Sequence, residues 1–75
     1  MNLKTTIERG GRHYKVSTVF VGHGLNYETM VFASDERGTV TSFADLYCDR
    51  YDTEEDATAG HATAIKDFSP ESNNA

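Results

Sequence analysis

Seventy-five residues with 37% hydrophobic content, four Tyr, four Phe and a formal charge of −5 make one small domain with a thin core, and exclude a fully disordered chain. No apolar run approaches the ~18–20 residues that a membrane-spanning helix needs. The single cysteine, Cys48, excludes an intrachain disulfide and fits a reducing compartment. The opening Met1-Asn2-Leu3-Lys4-Thr5-Thr6 lacks the apolar segment of a signal peptide, so a soluble intracellular protein is expected.

The predicted elements begin with a strand over Leu3 to Arg9, where Leu3, Thr5 and Ile7 alternate with Lys4, Thr6 and Glu8. Gly10-Gly11 is a two-residue turn that tolerates positive φ. His13 to Val21 is the clearest strand, with Tyr14, Val16, Thr18 and Phe20 on one face and Lys15, Ser17 and Val19 on the other. Gly22-His23-Gly24 reads as a hairpin loop with His23 at its tip. Tyr27 to Ala33 is the next strand, apolar on both faces toward its middle. Ser34 to Gly38 is a turn or mobile loop, and Thr39 to Phe43 a short strand or an irregular arm. Leu46 to Tyr51 alternates Leu46, Cys48 and Arg50 with Tyr47, Asp49 and Tyr51, as a strand does.

A helix follows, from the stretch D-T-E-E-D to about Asp67. Thr53 suits its N-cap, and Asp56 stands where a capping box carries its acidic residue. Asp52, Glu54, Glu55 and Asp56 lie near the positive end of the helix dipole. Ala57, Gly60, His61, Ala64, Ile65 and Phe68 form the inward stripe. Gly60 costs ~1 kcal/mol of helix propensity against Ala, a cost expected where the helix comes close to the sheet. Ser69-Pro70 ends the helix, and residues 69–75 form a disordered tail. Strands followed by one helix predict a single α+β domain over residues 1–68. Its core is an antiparallel sheet of three to four strands with the helix packed on one face.

Charge divides along the chain. Residues 1–24 carry Lys4, Arg9, Arg12 and Lys15 against Glu8, a net of +3, and residues 35–56 sum to −6. The acidic middle disfavours direct contact with nucleic acid. It serves either solubility or docking on a basic protein surface. In the docking reading Asp45, Tyr47, Asp49, Tyr51, Asp52, Glu54, Glu55 and Asp56 form the partner-binding surface, with tyrosines as apolar anchors in a charged rim. If Tyr47 and Tyr51 pack under the helix, the anchors are lost. The basic hairpin at Arg9, Arg12 and Lys15 is a weak phosphate signal.

Enzymatic chemistry finds little support. His13, His23, His61 and Cys48 have no zinc-ligand spacing. Cys48 sits mid-strand beside Asp49, which disfavours its thiolate. Nothing encloses a carboxylate pair, and the glycines match no phosphate or dinucleotide fingerprint. The expectation is no catalytic residue, no metal and no cofactor.

At K-V-S-T-V-F-V-G-H-G, N-Y-E-T-M-V-F and D-R-Y-D-T-E-E-D-A-T-A-G-H-A-T-A-I, the chain resembles a family of small proteins of tailed phages and prophages. That family has no assigned activity. Its pattern is V-S-T-V-F-L-G, a glycine-rich loop, F-E-T-M-V-F, then R-Y-x-T-x-x-E-A-x-x-G-H. The matching residues are Val16 to Gly22, Tyr27 to Phe32, and Arg50, Tyr51, Thr53, Gly60 and His61. The loop after Gly22 is shorter here, and the Ser34 to Leu46 segment longer. The resemblance implies a phage or prophage accessory protein, in the host cytoplasm or in a virion, and carries over no functional residues. The expected function is protein–protein binding, as an inhibitor of a host defence complex of the anti-CRISPR kind. The alternative is a minor virion or assembly protein. The partner is a host or phage protein with a basic surface, with no membrane contact, and the chain is a possible homodimer.

Overall fold

Gly10 and Gly11 both take positive φ, +62° and +81°, which suits the tight turn that joins two twisted antiparallel strands. They close β1 (Asn2–Arg9) onto β2 (Arg12–Phe20). β3 (Tyr27–Ser34) and β4 (Tyr47–Tyr51) continue the sheet, and α1 (Glu54–Asp67) packs on one face. The order β1-β2-β3-β4 is antiparallel throughout, the α+β fold expected from strands followed by a helix. The structure, a computed structural model, describes residues 1–22, 24 and 26–70. The expected loop tip at His23 and residues 71–75 of the expected tail lie outside the described residues.

Register places two full cross-strand rows of side chains on the helix side of the sheet. Thr5, Val16, Val31 and Tyr47 are successive cross-strand partners, as are Leu3, Thr18, Thr29 and Asp49. Ile7, Tyr14, Val16 and Val31 are buried against Ala64 and Phe68, with Tyr47 and Ile65 at the margin. The Tyr14 and Phe68 rings meet at 5.1 Å. Odd-numbered residues of β3 are therefore the inward ones, and Met30 and Phe32 face the opposite side. Yet the largest fully buried side chains are only Val16, Val31, Thr18 and Thr29. The core is thin, as the chain length requires.

Residues 39–43 form an arm held to the end of β3 by the bridge between Ser34 and Val40 and by the Thr41 amide, which donates to Ala33 O at 2.9 Å. Asp35 Oδ1 accepts from the Arg37 and Thr39 amides at 2.9 Å. Gly38, with φ +86°, backs onto β1 so closely that a Cβ there would overlap Thr6 Oγ1. The connection thus shields part of the open sheet face. Phe43, 80% exposed, lies edge-on to Phe32.

Candidate functional site

The acidic residues follow the edge strand and run into the helix. Asp45 precedes β4, Asp49 is at its middle and Asp52 just after it, spread over roughly 20 Å of extended chain. Glu54, Glu55 and Asp56 make the first turn of α1. All six carboxylates are exposed. Thr53 Oγ1 accepts from the Asp56 amide at 3.1 Å, so the N-cap is formed. The three acidic side chains of the first turn stand at the positive end of the dipole. Asn26 Nδ2 donates to Asp52 at 3.3 Å, fixing the turn against the β2–β3 connection.

Arg50 is the one cation in this stretch, and the strand's alternation turns it to the opposite face of the sheet. There its Nε donates to Glu28 Oε2 at 2.9 Å. That is the only ion pair among the described residues, so the six carboxylates carry none. Tyr47 and Tyr51 point the other way, toward the helix, and are half-buried. They serve the sheet–helix junction and leave only part of each ring at the surface. Burial first, then Tyr51 and Asp49 nearby, raises the Tyr47 phenol above its ordinary value. The Tyr51 hydroxyl is sealed from solvent without a partner in hydrogen-bonding geometry.

Cys48 is exposed on the open face. Partial desolvation, then Glu28 and Asp45, push its thiol up, and a thiol held protonated is a weak nucleophile. Among the described residues no group of three or more His, Cys, Asp or Glu side chains is placed to hold a metal ion. No helix among them is long and apolar enough to cross a membrane.

The polar constellation that sequence reasoning missed lies beneath the helix. His61 is 7% exposed. Its Nε2 meets Thr5 Oγ1 at 2.9 Å and its Nδ1 meets Thr18 Oγ1 at 2.7 Å. Thr18 Oγ1 in turn meets Thr29 Oγ1 at 2.5 Å. Three strands thus supply one hydroxyl each to a chain that a neutral imidazole satisfies in either tautomer. Burial lowers the His61 pKa from its ordinary value. Read from sequence as a packing residue, His61 is instead the polar pin between helix and sheet. The signal was the set of threonines on alternating strand positions, each of which reads alone as a strand former.

Arg9, weighed as a phosphate contact, is committed elsewhere. Its Nε donates to Phe68 O at 3.2 Å and its Nη2 to Ile65 O, satisfying carbonyls that the end of a helix leaves open. Of that basic hairpin, Arg12 is exposed and Lys15 half-buried.

No family model, curated protein or solved structure matches this chain.

Proposed function

We propose that the chain is a phage or prophage accessory protein that docks on the basic surface of a host defence complex in the host cytoplasm and blocks it, as anti-CRISPR proteins do. The observation that carries this reading is the separation of charge at β4. Six exposed carboxylates line the strand and the helix start without an ion pair among the described residues, while Arg50 is turned away and neutralised by Glu28. Such a rim has the sign of a nucleic-acid backbone. Its complement is a groove lined by Lys and Arg that otherwise holds phosphates. With Tyr47 and Tyr51 drawn under the helix, attraction at this surface is mainly electrostatic. It speeds encounter and weakens with salt.

The test is a tagged pull-down from infected host cells with mass spectrometry of the bound proteins, at low and high salt. The expected result is a nucleic-acid-handling complex that is lost at high salt. Reversal of Asp49, Glu54 and Glu55 to Lys is expected to abolish binding while circular dichroism shows an intact fold. Undiminished binding by the folded triple variant overturns the proposal, as does recovery of phage structural proteins alone, which marks a virion or assembly component.

A further inference from the structure

The two edges of the sheet are not equivalent. β4 is short, only Tyr47–Tyr51, and is centred on a carboxylate that accepts from a neighbouring main-chain amide (Arg50 N to Asp49 Oδ1, 2.9 Å). Charge and a side chain bonded to the amide row are devices that discourage strand addition. β1 runs over eight residues, Asn2–Arg9; it also carries charge, but of both signs, Lys4 and Glu8, and no side chain among the described residues bonds to its outward amides.

The turn defines which groups β1 presents. Arg9 and Arg12 flank the two-residue turn as partners, and in such hairpins the flanking pair exchanges both main-chain hydrogen bonds. The Phe20 N to Met1 O bond at 3.3 Å continues the same parity to the far end. Leu3, Thr5, Ile7 and Arg9 are thus spent on β2. The N–H and C=O groups of Asn2, Lys4, Thr6 and Glu8 point outward along an open edge, and their side chains are exposed on the face away from the helix. There Lys4 Nζ donates to Ser17 Oγ at 2.6 Å, and Gly38 borders Thr6. The Glu8 carbonyl already accepts from Arg9 Nη1 at 2.8 Å and keeps its second lone pair.

We infer that this edge takes a second copy of the chain, antiparallel, with Thr6 on the two-fold axis and Lys4 directly opposite Glu8 of the other copy. Antiparallel self-pairing about Thr6 sets residue 4 against residue 8 twice, and these two residues carry opposite charges. Lys4 exchanges its bond to Ser17 for the carboxylate of the second copy. The strand is its own electrostatic complement. A directly opposed pair of unlike charges stabilises such a ladder, and like charges destabilise it. Lys4 therefore repels foreign basic strands and selects its own copy. On the helix side Thr5 comes opposite Ile7, a pair of β-branched residues suited to a sheet. The two-fold axis stands perpendicular to the joined sheet, so both helices lie on one face and both acidic rims at its outer ends. The thin core adds a motive, because a domain this small gains much of its stability by association.

The experiment is sedimentation equilibrium of the full chain over a range of concentrations. The wild type is expected to reach the mass of a dimer. Lys4→Glu and Glu8→Lys, each folded by circular dichroism, are each expected to raise the dimer Kd by roughly tenfold or more, since both symmetric pairs become repulsive. Mixing the two variants is expected to restore a heterodimer, because each then carries the other's complement. A wild type that stays monomeric at every concentration overturns the inference. So does a dimer that both charge reversals leave unchanged, or a mixture no tighter than its components. None of these outcomes depends on the acidic rim.

Discussion

Gly60 and Tyr51 share one contact: the helix backbone lies on the tyrosine ring where any side chain would stand. A Cβ on Gly60 would overlap both the ring and its hydroxyl. The ring is rigid and held between β4 and α1, so it has little room to give. Gly60→Ala gains about 1 kcal/mol of helix propensity and loses more to overpacking, of order 1–3 kcal/mol. The expected net result is destabilisation by up to about 2 kcal/mol, read as a lower urea midpoint with unchanged m-value.

The same hydroxyl is buried without a partner. The Tyr47 phenol is its polar neighbour, but not in hydrogen-bonding geometry, and removing a buried polar atom that is poorly bonded is favourable. Tyr51→Phe is therefore expected to raise stability by about 1 kcal/mol, seen as an increased thermal midpoint. A fall of similar size would show that the hydroxyl is bonded in solution.

Acid acts on the pin under the helix. His61 has a pKa lowered below its ordinary 6.5 by burial, so in the window between the folded value and 6.5 the unfolded chain holds a proton that the folded one does not. Stability is then full above about pH 6.5 and declines as pH falls through that window, by up to about 1.4 kcal/mol per pH unit. Urea titrations at several pH values between 7.5 and 5 check this, and the same series on His61→Gln is expected to show a flatter slope there. Parallel slopes for the two proteins would contradict the assignment.

Thr53 holds the first turn of the helix through its bond to the Asp56 amide. Thr53→Ala is expected to cost about 1 kcal/mol, and Thr53→Asp to retain most of the stability, since Asp caps as well. Thermal unfolding of both variants decides it.

Arg9 ties the end of the first hairpin to the last turn of the helix through the carbonyls of Ile65 and Phe68. Arg9→Ala is expected to cost about 1–2 kcal/mol, the range for bonds from a charged donor that is part-exposed. Arg9→Lys is expected to recover only part, because an ammonium cannot reach two carbonyls with a fixed fork. Hydrogen exchange at residues 65–68 gives a local readout, expected to quicken in both variants.

Much of this architecture was legible from the residues. Alternation in β1 and β2, the glycine pair between them and the Thr53 cap are local signals, and they place the same elements in three dimensions. The face of β3 was not legible, because Met30 and Phe32 are as apolar as Val31 and Thr29. Pairing of Val16 with Val31 decides which side turns inward. The need for a small residue at position 60 was visible as a cost to the helix, but its cause, the Tyr51 ring, arrives from another element. The acidic rim was legible as composition. That Arg50 leaves it for Glu28 follows from strand alternation together with register, and that Tyr47 and Tyr51 leave it for the helix follows from which face the helix covers.

The bonds between Thr5 and His61 and between Arg9 and Phe68 join residues 56 and 59 positions apart. They link the first strand to the last helix, and the helix supplies Ala64 and Phe68 to the core. During synthesis the hairpins emerge first, with the threonines and valines of their inner face still wet. Burial comes only when the helix follows, since long-range contacts repay their loop entropy last. A ribosome that stops before the helix releases a sheet with nothing to cover it, which proteases and chaperones recognise as unfinished. Closure of the inner face thus waits on α1, and the first strand is hidden only once that helix has been made.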